Sequence, residues 1–115
     1  MAWRSTHRFA RIAPRKVRLV VDLVRGLDAS EALDVLKFTN KRAAVFVDKT
    51  LRAAIASADE AAADTGNLFI QEARVDEGPQ IKRGREKDRG KFYVILKRTS
   101  HITVVVEERP GLKSR

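Results

Sequence analysis

Apolar residues recur at three- and four-residue spacing through the first half of the chain, and after a turn at Asp64, Thr65, Gly66 and Asn67 the periodicity becomes strand-like. Val17, Val20, Val21 and Val24 share one helical face, with Pro14 suited to the first turn and Gly26 to the C-terminal cap. A second short helix is predicted from Ala32, Leu33 and Leu36, with Asp28 and Glu31 spaced as a capping box. Thr39 or Asn40 then caps a third and longest helix over 41–62, whose buried side carries Val47, Leu51, Ala54, Ile55 and Ala58. Ahead of these helices, Phe9, Ala10 and Ile12 suit a short strand at the end of a cationic arm over residues 1–18.

Two segments rich in Val, Ile, Thr and aromatic residues follow, 68–75 and 92–106. The polar stretch 78–91 between them reads as the outer half of a long hairpin. With its turn near Lys87, Ile81 falls opposite Phe92 or Tyr93, and ten residues per arm reach roughly 35 Å, so the hairpin must project from the body. Helices followed by strands predict an α+β fold in one domain over 1–115, with an extended basic hairpin over 78–97 and a basic tail over 107–115.

Charge narrows the partners. Twenty-four Lys and Arg face 15 Asp and Glu, giving a formal net charge of +9 and a pI near 10.5. Such a surplus attracts RNA, DNA and anionic lipid alike. Cysteine is absent, which excludes disulfides and thiolate metal sites. The most apolar stretch, 17–24, is interrupted by Arg18 and Asp22, so neither an export leader nor the roughly 20 apolar residues of a membrane helix is expected.

The hairpin is the strongest candidate site. Lys82, Arg83, Arg85, Lys87, Arg89 and Lys91 alternate there with Gly84, Glu86, Asp88 and Gly90. A two-stranded ribbon is marginal in water, so one this charged needs a partner, and RNA phosphates would supply it. Phe92 or Tyr93 could stack on an unpaired base, although cross-strand packing also accounts for them. The arm adds Arg4, Arg8, Arg11, Arg15, Lys16 and Arg18; of these, Arg15, Lys16 and Arg18 oppose the dipole at the start of helix one, so helix stability does not explain them. An exposed face or a phosphate partner would. The pairs Lys41, Arg42 and Lys97, Arg98 complete the candidate RNA contacts.

Catalysis lacks residues to perform it. His7 and His101 are distant in sequence, and His101, in an apparent strand, is expected to be a satisfied structural histidine. Asp76 and Glu77 are adjacent in an extended segment and point to opposite faces. Phosphate-binding glycine loops, metal-ligand spacings and nucleophile elbows are missing, so no cofactor, metal or enzyme activity is expected.

Four ordered motifs then make a family visible: Ala13-Pro14-Arg15-Lys16-Val17-Arg18-Leu19-Val20, Thr39-Asn40-Lys41-Arg42-Ala43-Ala44, Val75-Asp76-Glu77-Gly78-Pro79 and Lys97-Arg98-Thr99-Ser100-His101-Ile102-Thr103-Val104. In order and spacing, over about 8–106, they resemble the bacterial large-subunit ribosomal protein twenty-two family. The resemblance implies three helices packed on a small three-stranded antiparallel sheet with a long projecting β-hairpin. It implies a body that binds large-subunit ribosomal RNA early in assembly, beside neighbouring proteins near the peptide exit tunnel, in a cytoplasmic ribosome. The protein would be a monomer there, with no membrane partner. It carries over Arg15, Lys16, Arg18, Lys41, Arg42, Lys82, Arg83, Lys97 and Arg98 as RNA contacts.

The implied tunnel tip, which would meet the nascent peptide, spans Gly84, Arg85, Glu86, Lys87, Asp88, Arg89 and Gly90. Gly90 and Lys91 match the family there, whereas Glu86, Lys87 and Asp88 stand where members usually show Pro, Arg and Ala. Two rivals share the charge. A histone-like architectural DNA-binding protein needs an apolar wedge at the tip of its arm, and residues 84–90 have none. A membrane-surface or acidic-protein binder needs a helix with a basic face opposite a bulky apolar one, and the third helix is Ala-rich and carries acids.

Overall fold

Pro14 opens the first helix because its fixed φ suits the first turn and its missing N–H is one that a helix leaves unpaired anyway. In the computed structural model, which describes residues 2–86 and 92–109, and of residues 81, 83–86 and 92–96 the backbone alone, this helix is α1 (Pro14–Val24). It follows β1 (Ala2–Ala10) and precedes α2 (Ala29–Lys37), α3 (Arg42–Glu60), a 3-10 turn at Thr65–Asn67, β2 (Leu68–Glu77), β3 (Ile81–Glu86), β4 (Phe92–Lys97) and β5 (Ser100–Glu108). β5 lies between β1 and β2 in an antiparallel sheet of three strands, and β3 and β4 pair as a separate two-stranded ribbon. The fold is therefore α+β, with three helices on a three-stranded sheet.

The core forms where the helix stripes meet one sheet face. Val17, Val20, Val21 and Val24 of α1, Ala32 and Leu36 of α2, and Val47, Leu51, Ala54 and Ala58 of α3 are buried against Ile70, Val75, Ile102, Val104 and Val106. Alanine at so many α3 positions lets helix and sheet approach closely, and Thr50 satisfies its buried hydroxyl by donating to the Phe46 carbonyl at 2.9 Å. Full burial of a side chain such as Leu51 is worth about 1.5–3 kcal/mol.

β2 is an edge strand, so some of its carbonyls face away from the ladder. Two arginines of the α1 region supply donors. Arg25 donates through Nε and Nη2 to the Ala73 carbonyl at 3.1 and 2.7 Å, and Arg18 through Nη2 to the Val75 carbonyl at 3.1 Å.

Several local expectations are corrected. The cationic arm is itself a strand: β1 begins at Ala2, and Ile12 lies beyond it, buried. The arm's alternation is masked in the sequence because Ser5 and His7 share the inward face with Trp3. Asp28 precedes α2 but makes no side-chain cap; its carboxylate accepts from Arg109 Nε at 2.8 Å, an ion pair too distant in sequence to foresee. Thr39 lies just past α2, its hydroxyl donating to the Val35 carbonyl at 2.6 Å, while Lys41 occupies the N-cap of α3.

The segment 92–106 is two strands, broken at Arg98 and Thr99. There the Gly78 amide donates to the Thr99 carbonyl at 2.9 Å and Thr99 Oγ1 donates to the Pro79 carbonyl at 2.7 Å, which turns both arms out of the body sheet together. In the ribbon Ile81 lies opposite Lys97, not Phe92 or Tyr93, and Glu86 lies opposite Phe92. Centring the turn on the run of charge misplaces the register, because the corner at Thr99 fixes it from the other end. Glu107 and Glu108 belong to β5 and Arg109 follows it; the remainder of the expected basic tail, 110–115, lies outside the described residues, as do Lys87, Asp88, Arg89, Gly90 and Lys91.

Candidate nucleic-acid interface

Three chain segments that are remote in sequence meet beside the Thr99 corner. The β1–α1 link and first turns of α1 bring Arg11, Ile12, Ala13, Lys16 and Leu19; the start of α3 brings Lys41, Arg42 and Ala43; the β4–β5 corner brings Lys97, Arg98 and Thr99. Together they line an open groove of about 710 Å³. Its position is held by short bonds: Ser100 Oγ donates to the Ile12 carbonyl at 2.5 Å, tying the link to β5, and the Gly78 and Thr99 bonds tie the corner to β2.

Six cations line this groove, and no carboxylate does among the described residues. Arg11, Lys16, Lys41, Lys97 and Arg98 are exposed and make no side-chain ion pair or hydrogen bond among the described residues; the Arg42 guanidinium lies 5.5 Å from the Phe46 ring centroid. Four arginines elsewhere are paired with carboxylates. Arg25 pairs with Asp22 at 2.6 Å, Arg52 with Asp48 at 2.9 Å, Arg74 with Glu72 at 2.8 Å and Asp76 at 3.2 Å, and Arg109 with Asp28 at 2.7 Å.

Backbone charge adds to the field. α1 and α3 both begin at the groove, and neither has a side-chain cap or an acidic residue in its first turn. A helix N-terminus carries about half a positive charge and presents amides that favour an anion. Cations set against two such termini repel one another, and a low-dielectric wall such as Ile12, Ala13 and Leu19 strengthens the potential. A string of phosphates neutralises all of it at once.

The other sequence-predicted residues lie apart from the groove. Arg4 and Arg8 are exposed on β1, with the Arg8 guanidinium 5.3 Å from the Phe9 ring centroid. Arg15 is exposed on α1 outside the groove, and Arg18 is engaged with the Val75 carbonyl. Lys82 is exposed on β3; Arg83, Gly84, Arg85 and Glu86 follow it along that strand, where Gly84 lies opposite Val94. The roles of Ile12, Leu19 and Thr99 as groove walls went unforeseen, since no local pattern links segments so far apart.

The histidines fall on opposite faces of the sheet. His7 packs toward α3, 5.5 Å from the Phe46 ring, whereas His101 Nδ1 accepts from the Phe9 amide at 3.1 Å. Among the described residues no group of His, Asp or Glu is arranged to hold a metal ion, and no helix is long and apolar enough to cross a membrane.

A family model described as ribosomal protein L22p/L17e matches residues 5–107. The chain belongs to that family. It is 46% identical over 110 residues to large ribosomal subunit protein uL22 of Syntrophobacter fumaroxidans, an alignment covering 95% of this chain and 100% of the relative. Within this L22p/L17e chain the four sequence motifs converge in space. Residues 13–20 and 39–44 contribute the two helix starts, 97–104 the corner and central strand, and 75–79 the strand end bonded to that corner.

Proposed function

We propose that the chain is a structural constituent of the large ribosomal subunit in the cytoplasm, holding large-subunit ribosomal RNA by charge and shape without catalysing a reaction. The observation that carries this reading is the groove of six cations set against two uncapped helix N-termini with no acidic counterpart. Phosphates spaced along a folded RNA strand fit it, because each neutralised cation releases counterions and so adds affinity. The L22p/L17e membership supports the finer reading: the body binds early in assembly near the peptide exit tunnel, against neighbouring ribosomal proteins, as a single copy. The ribbon then extends inward so that residues 84–90 meet the nascent peptide, with Glu86 and Asp88 giving this tip an acidic component.

Two variants separate body from tip. Deleting residues 84–90 leaves every described core residue in place, so the variant should fold and co-sediment with large subunits, with altered response to tunnel-binding antibiotics or stalling peptides. A Lys41→Gln, Arg42→Gln, Arg98→Gln variant should fold and fail to co-sediment through a high-salt wash. If the triple variant is retained like the unaltered protein, the groove is not the RNA site; if the deletion leaves every tunnel assay unchanged, the tip does not line the tunnel.

A further inference from the structure

Phe9 is in the wrong place for a core residue. It sits at the irregularity where β1 loses register with β5, between the His7–Ile102 and Ala10–Ser100 pairs, with φ at +59°. That left-handed conformation is strained for an L-residue, and a turn alone would be met by Gly or Asn. Packing does not explain the cost. The side chain is 54% exposed and takes no part in the hydrophobic core, whereas Ala10 beside it is buried.

What holds the residue is His101. Its Nδ1 accepts from the Phe9 amide at 3.1 Å, and the two rings meet at 86° with centroids 4.9 Å apart. A Cβ placed on Gly78 would meet both His101 Cε1 and Thr99 Oγ1, so these two side chains are neighbours across that glycine, and Thr99 lines the basic groove. Arg11, also in the groove, lies two residues beyond Phe9. An exposed aromatic ring is thus held two residues from groove-lining Arg11 and against a histidine beside groove-lining Thr99, with the Arg8 guanidinium 5.3 Å from its centroid.

We propose that Phe9 is a stacking platform for an unpaired base of the RNA strand whose phosphates occupy the groove, with His101 as its positioning residue. This rests on the RNA-binding reading above. Every base has a π-face, so the platform selects single-stranded or bulged nucleotides without selecting sequence. Arg8 supplies charge for the flanking phosphate.

The test measures binding of the full chain to deproteinised large-subunit ribosomal RNA across a range of salt. Phe9→Leu keeps an apolar side chain and removes the π-face; affinity should fall roughly 5- to 150-fold, the range that loss of one stacked base gives, with the salt slope unchanged because no phosphate contact is lost. Phe9→Trp should bind at least as tightly as the unaltered chain. His101→Ala should weaken binding, and adding it to Phe9→Leu should cost little more. Ultraviolet cross-linking of the unaltered complex should join Phe9 to a nucleotide, which decides the matter even if a variant fails to fold. Undiminished affinity of folded Phe9→Leu, equal loss in Phe9→Trp, or absence of that cross-link overturns the platform. If the unaltered chain itself shows no salt-dependent binding, the RNA-binding reading fails instead.

Discussion

Ala62 ends α3 in a conformation its side chain resists. Its φ is +63°, and the Ala62 and Ala63 amides bond to the Asp59 and Ala58 carbonyls at 3.0 Å each, a Schellman arrangement with alanine where glycine is usual. Ala62→Gly should therefore stabilise the chain by about 0.5–1 kcal/mol, the relieved strain exceeding the added freedom of the unfolded chain, as measured by urea unfolding. Leu51→Ala should do the reverse. Leu51 is fully buried beneath the sheet, so its truncation should cost about 2–5 kcal/mol in the same assay. At this scale the helix faces were legible in the sequence: Val17, Val20, Val21 and Val24 are buried as their spacing predicts, because a helix fixes which residues share a side. Destinations of long polar side chains were not. Arg18 reads as an RNA contact and bonds the Val75 carbonyl, a partner 57 residues away that only the folded sheet edge presents.

The corner where β2 leaves the body depends on one small residue. Gly78 has no room for a Cβ, since Thr99 Oγ1 occupies that space while bonding Pro79, and the Gly78 amide is itself bonded to Thr99. Gly78→Val should force the corner open and cost about 1–3 kcal/mol, with the β2 and β5 amides nearest the corner losing hydrogen-exchange protection first. The elements explain which parts of the topology were readable. The start of α1 and the presence of the hairpin announce themselves locally, through Pro14 and alternating charge. The split of 92–106 into β4 and β5 does not, because apolar density is continuous across it and the break is made by bonds from Gly78 and Pro79. The capping box at Asp28 and Glu31 misled for a related reason: Arg109, delivered by the end of β5, competes for the same carboxylate.

Across the whole molecule, the groove gathers six cations with no carboxylate among the described residues that line it, whereas four arginines elsewhere are paired with acids. Arg25 after α1, Arg52 within α3, Arg74 on β2 and Arg109 after β5 have carboxylate partners, and among the described residues the groove's cations have none. Composition announced a polyanion, and the cationic pairs were visible at Lys41, Arg42 and Lys97, Arg98; their convergence with Arg11 and Lys16 required the fold. Such concentration opposes folding in the absence of a partner. The Lys41→Gln, Arg42→Gln, Arg98→Gln variant should melt at a higher temperature than the unaltered chain at low salt, with the difference shrinking as screening shortens the reach of the repulsion. That same trade identifies the decisive measurement, the salt dependence of affinity for large-subunit ribosomal RNA. With six groove cations each meeting a phosphate, the logarithm of the binding constant should fall with the logarithm of salt at a slope of about 4–5, and the triple variant should lower that slope by about 2–3. A nearly flat dependence, or a slope that the triple variant leaves unchanged, would contradict the assignment of the groove to RNA.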